Sequence, residues 1–117
     1  YYFPSKQEFQ QLWEVNSIDE GLHRMKGLTS ALTIVKDSDN GALAMKGDEV
    51  LRIPAFPVNP IHTVGAGDSF NAGFMVAQAL GRDLEKSMRF GCAAAGLTIS
   101  QPTMPAIEAV ETLAASA

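Results

Sequence analysis

Apolar residues along this chain fall into two periods, and the switches between them outline its elements. In "KQEFQQLWEV", residues 6–15, Phe9, Leu12 and Trp13 recur at helical spacing with polar residues between them, which predicts a helix with one apolar face. Ser5 stands just before this run and Glu8 three residues later, the spacing of a capping box. "SIDEGLHRMKG", residues 17–27, predicts a second short helix that stops at Gly27. The period then changes. "ALTIVK", residues 31–36, is apolar on both faces, as a strand inside a covered sheet requires. "DSDNG" is turn chemistry, and "GALAMKGDEVLRIPAF" predicts two strands joined at Gly47-Asp48.

Helical spacing returns after the proline-bounded stretch "PAFPVNP". Between Ala66 and Leu80 the apolar positions Phe70, Phe74 and Ala77 repeat at helical intervals. Asp83 is placed to cap a further helix whose inner stripe reads Leu84, Met88, Cys92, Ala95 and Ile99. "SQPTMP" breaks that helix, and "AIEAVETLAA" supplies the last one. The opening aromatics of "YYFPSKQEF" read as the end of a buried strand. A β section flanked by helices predicts one α/β layered unit over residues 1–117.

Composition narrows the function. A net charge of −4 argues against a polyanion-binding surface, so nucleic acid is not an expected partner. The single cysteine, Cys92, excludes an internal disulfide and a cysteine-rich metal site, which suits a reducing, cytoplasmic setting. No apolar run is long enough to span a bilayer, so no membrane partner is expected. The chain opens on Tyr1 without a methionine or a leader pattern, and is expected to be a segment of a longer protein.

The chemistry concentrates in "HTVGAGDSF", residues 62–70. Gly65 and Gly67 permit backbone angles closed to other residues and let a ligand approach the main chain. A helix starting near Asp68 would aim its free N–H groups into that loop, forming an anion site suited to a phosphoryl group. Asp68 has two readings. As an acid at a helix N-terminus it is stabilised by the dipole and need be no more than a cap. As a general base it would take the proton of an alcohol attacking a phosphoryl group held beside it. The spacing matches neither the P-loop nor the dinucleotide fingerprint.

"TVGAGDSFNAGF" resembles the C-terminal signature of the ribokinase-like, PfkB family of carbohydrate kinases. The resemblance implies that Gly65, Ala66 and Gly67 form an anion hole and that Asp68 is the catalytic base. It extends along most of the chain. "PSKQEF" is similar to a segment whose acid organises magnesium, which places Glu8 at the metal. "TIVKDSDNGALAM" is similar to the strand, turn and strand that contact nucleotide, which brings in Lys36, Ser38 and Gly41. "RFGCAAAGLTIS" resembles the small-residue helix beside the adenine, which brings in Cys92, although close helix packing explains its small residues equally well. The implied fold is the C-terminal portion of a three-layer α/β/α sandwich with a truncated sheet. The implied cofactors are ATP and Mg²⁺, and the implied partners are a nucleotide and a small sugar.

Three positions depart from the family pattern. Ser5 replaces an asparagine, Ser38 a glycine, and His62 the aspartate that begins the motif, so monovalent-cation activation is not carried over. Read from residue type alone, His23 is a solvated surface side chain, His62 a structural one, Cys92 a small buried hydrophobe and Lys36 a solvated lysine. Family members are much longer than 117 residues, and the sugar contacts lie in the part not represented here. The isolated chain is therefore expected to be inactive as a sugar kinase. A truncated sheet leaves an edge that recruits a second copy or the missing N-terminal half. The competing expectation is a non-catalytic remnant whose loop merely binds an anion.

Overall fold

The computed structural model describes residues 2–26, 28 and 32–116; the side chain of Ser38 lies outside the description. The chain divides into two compact units, Tyr1–Arg52 and Ile53–Ala117.

The first unit is built on a short sheet. Strands β1 (Thr33–Lys36), β2 (Ala42–Lys46) and β3 (Glu49–Ile53) lie in that order. β1 and β2 are antiparallel, with Val35 opposite Leu43 and Thr33 opposite Met45. Turn residues Gly47 and Asp48 join β2 to β3, and so short a connection requires an antiparallel pair. Gly47 takes the positive φ of 63° that such a turn needs. On the opposite edge of β1 the opening segment runs parallel, bridging Tyr2 to Thr33 and Ser5 to Lys36. Its main-chain bonds run from Ile34 N to Tyr2 O (2.8 Å) and from Lys36 N to Pro4 O (3.0 Å). The strand character read from the opening aromatics is thus present from Tyr2, as a half-buried segment paired to β1; Tyr1 lies outside the described residues.

Helices α1 (Lys6–Trp13) and α2 (Ile18–Met25) supply the apolar cover. Phe9, Ile18, Leu22 and Met25 pack with Val35, Leu43 and Met45 in one cluster, with Tyr2 and Trp13 beside it. Ile34 and Ala44, which point the other way along their strands, are buried as well. The expectation of a strand covered on both faces holds for β1 and β2. One part of the helix reading needs correction: Leu12 is 66% exposed, because Phe9 and Trp13 alone fill the face of a helix only eight residues long. The predicted stop at Gly27 lies outside the described residues; α2 ends at Met25.

The second unit is helical. α3 (Ala66–Ala79) lies against α4 (Leu84–Ser100), and α5 (Ile107–Ala114) packs on α4. Asp83 caps α4 as expected, accepting from Lys86 N at 2.9 Å. The single inner stripe predicted for α4 is too narrow. Leu84, Ala95 and Ile99 are only half-buried, whereas Ser87, Phe90, Gly91, Ala93, Ala94, Gly96 and Thr98 join Met88 and Cys92 in the interior. A helix flanked by neighbours on more than one side buries more than one stripe. Ala77, Phe90, Ala93, Ala94 and Val110 form the cluster where the three helices meet.

The approach of α3 to α4 is unusually close. A Cβ placed on Gly73 would stand 2.8 Å from that of Ala94, and one on Gly91 would meet the Phe70 ring and carbonyl at 3.0 Å. Close packing therefore accounts for Gly73, Gly91 and Ala94 directly.

Candidate functional site

Helices α1, α2 and α4 all begin with a side-chain cap. Ser5 accepts from Glu8 N at 3.2 Å and Ser17 from Glu20 N at 3.1 Å, while Asp83 serves α4. α3 and the short α5 begin without one, and only α3 starts on a positive-φ glycine. Its N-cap is Gly65, at φ 79° and ψ 4°, with no side-chain hydrogen bond. The first intrahelical bond runs from Ser69 N to Gly65 O at 2.8 Å. The amides of Ala66, Gly67 and Asp68 precede it and so have no acceptor within the helix. They point out of its N-terminus, where the dipole favours negative charge.

α3 begins at Ala66, as the helical spacing from Ala66 to Leu80 predicts, two residues before the start near Asp68 assumed for the loop, and Gly65 alone makes the turn: it has positive φ, whereas Gly67 is already helical. Asp68 is consequently the third helical residue. Its carboxylate is exposed to solvent and not turned into the core. Ala66 is half-buried, while Gly65 and Gly67 are exposed. Gly65, Ala66, Gly67 and Asp68 therefore form one continuous open turn.

The end of α4 braces this turn. Ile61 N donates to Ile99 O at 2.7 Å, and His62 N donates to the same oxygen at 3.3 Å. The His62 ring approaches the Gln101 carbonyl through Nε2 at 3.3 Å, which assigns the proton to Nε2. Its Nδ1 is buried with no partner. Just inside the turn, Thr98 Oγ1 donates to Ser69 Oγ at 2.9 Å in a buried bond. The Thr98 methyl lies 3.9 Å from the point where a Cβ on Gly65 would stand. Neither Ser69 nor Thr98 was singled out from sequence. The available signal was weak: two hydroxyl side chains on the inner faces of otherwise apolar helices.

Cys92 is buried in α4, and loss of hydration pushes its thiol up to about 11, against a smaller opposing pull from Arg89. It is a neutral thiol, as its residue type suggested.

The remaining candidates belong to the first unit. Glu8 completes the capping box of α1, with Oε1 accepting from Ser5 N at 2.9 Å. The backbone and side-chain hydrogen bonds with Ser5 hold its carboxyl below the ordinary value, and the charge of Lys36 adds to this. Glu8 and Lys36 lie at the same end of the opening segment, where Ser5 bridges to Lys36. Lys36 ends β1, where the chain turns through a short 3-10 segment, Ser38–Asn40. The loop closes with Asp37 N donating to Gly41 O at 2.8 Å, and Gly41 takes φ 91°. The turn expected from "DSDNG" is present in that form. Among the described residues no three or more His, Cys, Asp or Glu side chains gather as a metal cage. Glu8, exposed and ionised, fits an ion such as Mg²⁺, which takes one or two carboxylates and draws its other ligands from phosphates and water. No helix among the described residues is long and apolar enough to cross a membrane.

Residues 1–108 match the family described as pfkB family carbohydrate kinase. The chain is 37% identical over 117 residues to ribokinase of Bacillus subtilis, a match covering 97% of this chain and 39% of that protein. It is 30% identical over 102 residues to 5-dehydro-2-deoxygluconokinase of the same organism, covering 83% of this chain and 31% of that one. Among solved structures, Arabidopsis thaliana ribokinase complexed with ribose and ATP superposes with a TM-score of 0.88 at 25% identity, over 98% of this chain and 40% of that one. A probable sugar kinase from Rhizobium etli superposes with a TM-score of 0.81 at 32% identity, over 94% and 33%. The chain thus spans 31–40% of the length of these proteins, and over that span its α/β backbone follows theirs.

Proposed function

The chain belongs to the pfkB family of carbohydrate kinases, and we propose that it supplies the phosphoryl-binding turn and the catalytic base of an ATP-dependent sugar kinase. The observation that carries this reading is the uncapped start of α3, with Asp68 exposed on the same turn. The two features serve opposite partners of one displacement. In the anion turn of Gly65, Ala66 and Gly67, the free amides of Ala66 and Gly67 face the oxygens of the transferred phosphoryl group, where negative charge develops. The Asp68 carboxylate takes the proton from the sugar hydroxyl. That hydroxyl oxygen forms a bond to the γ-phosphorus, the bond from phosphorus to the β-phosphate oxygen breaks, and ADP leaves.

A bound Mg²⁺ would supply neutralisation of phosphate charge. Glu8 is the residue of this chain proposed to hold its water or phosphate shell, in a carboxylate kept ionised by Ser5. Lys36, Ser38, Gly41 and Cys92 are the proposed nucleotide contacts. Of these, Lys36 offers charge, Gly41 lets the main chain turn tightly, and Cys92 offers only neutral bulk.

We infer that the sugar is held by protein outside this chain, since the relatives are more than twice as long. A base without a positioned acceptor loses the advantage of orientation, so the isolated chain should not phosphorylate sugars. The test is ATP consumption dependent on D-ribose, the sugar bound to the solved Arabidopsis relative, measured on the 117-residue chain and on a longer protein that joins it to the N-terminal portion of Bacillus subtilis ribokinase. The reading expects turnover only in the longer protein, abolished by Asp68→Asn. Turnover that survives that change there with other kinase substrates as well would overturn the role of Asp68.

A further inference from the structure

The turn proposed to hold phosphate has no cap of its own, yet its amides must keep a fixed direction to act as an anion site. Something else must hold it. The contacts of the second unit converge on the last turn of α4. Ile99 O receives both Ile61 N and His62 N, and Gln101 O receives the His62 ring. These bonds fix the chain as it enters the turn. On the exit side, Ser69 supplies the first intrahelical N–H and, through its hydroxyl, the buried bond with Thr98. Thr98 therefore bonds to the turn through Oγ1 on Ser69, and its Cγ2 lies 3.9 Å from the place that a Cβ on Gly65 would take.

We propose that Thr98 and Ser69 are positioning residues for the anion turn, their buried hydrogen bond standing in for the missing helix cap and tying Gly65–Asp68 to the end of α4. The proposal rests on the phosphate-binding reading of that turn but makes its own demand. A pair that only filled the core would be replaceable by apolar residues of similar shape without consequence. A pair that aims the turn would not.

Three variants separate these cases. Thr98→Ser keeps the hydroxyl and loses the methyl. Thr98→Val keeps the shape and leaves the Ser69 hydroxyl buried without a partner, which destabilises the fold. The double change Ser69→Ala with Thr98→Val removes both polar partners, a substitution that is close to neutral for stability. Each is compared with the unaltered 117-residue chain by thermal unfolding, by ¹⁵N relaxation of the Gly65–Ser69 amides, and by titration with inorganic phosphate followed at those amides.

In the double variant the expected result is a melting temperature close to that of the parent, lowered order parameters confined to Gly65–Ser69, and phosphate affinity reduced about three- to tenfold. Thr98→Ser should keep the order of the turn. Parent-like order in the double variant would show that the pair merely packs, whatever the titration gives. Failure of the parent to bind phosphate, with the loss of order still present in the double variant, would support the positioning role and contradict the phosphate reading instead.

Discussion

Helices α1 and α3 carry an acid at the same place, the third helical residue, and do opposite things with it. In α1 the N-cap is Ser5, and Glu8 folds back to accept from its backbone, so the start of the helix is closed on itself. In α3 the N-cap is Gly65, which has no side chain to offer, and Asp68 stays exposed. One residue, serine or glycine, decides whether the first-turn amides are satisfied internally or left for a ligand. The closed helix must hold itself by its cap. The open one is held from behind, by the close contact of Gly73 with Ala94 and by the braces from the end of α4.

The comparison is most exposed to the same acid-to-amide change made at both positions. With this chain joined to the N-terminal portion of Bacillus subtilis ribokinase, Asp68→Asn should lower kcat by about 10²- to 10⁴-fold, the scale of a lost general base, with little change in KM for ATP. Glu8→Gln should instead appear mainly as a changed dependence on Mg²⁺ concentration. Steady-state kinetics with ATP and D-ribose reads both, and equal losses in kcat would erase the distinction.

The next effect is on stability. Gly73→Ala forces a methyl into the contact with Ala94 and should destabilise the chain by about 1–3 kcal/mol, measured by chemical denaturation. Ser5→Ala removes the cap of α1 and should cost about 1 kcal/mol by the same measurement. Little change from Gly73→Ala would mean that the helices can separate and that α3 is not held by packing.

The smallest effect concerns pH. The carboxyl of Glu8 titrates below its ordinary value of 4.5 because the folded chain stabilises the anion. Its contribution is complete above that value and is lost as pH falls through the lower, folded one. Stability between neutral pH and about 3 should therefore show an acid-side loss that is smaller in Glu8→Gln, followed by thermal unfolding at each pH. The group is exposed, so the difference should be slight and should shrink further in salt.

Much of this was visible before any coordinates. The capping box at Ser5 and Glu8, the turn at Gly47-Asp48, the Asp83 cap and the glycine turn at Gly65 all depend on interactions within a few residues, and such signals are written locally. The misreadings depend on neighbours. The width of the buried face of α4 is set by how many elements surround it, which periodicity alone does not report. Leu12 matched the helical period but lies beyond the reach of the strands that bury Phe9. Gly67 resembled a second loop glycine because its identity is the same as that of Gly65, while only φ separates a turn from a helix. The bond between Ser69 and Thr98 spans 29 positions, so no local pattern could announce it.

The central claim concerns where the transferred phosphoryl group lies. A crystal structure of the chain joined to the N-terminal portion of Bacillus subtilis ribokinase, with ADP, aluminium fluoride and D-ribose, would locate a mimic of that group directly. The account predicts fluoride ligands within hydrogen-bonding distance of the Ala66 and Gly67 amides, and the Asp68 carboxylate on the attacking sugar hydroxyl. A fluoride complex seated away from the start of α3, or Asp68 turned from the sugar, would contradict it.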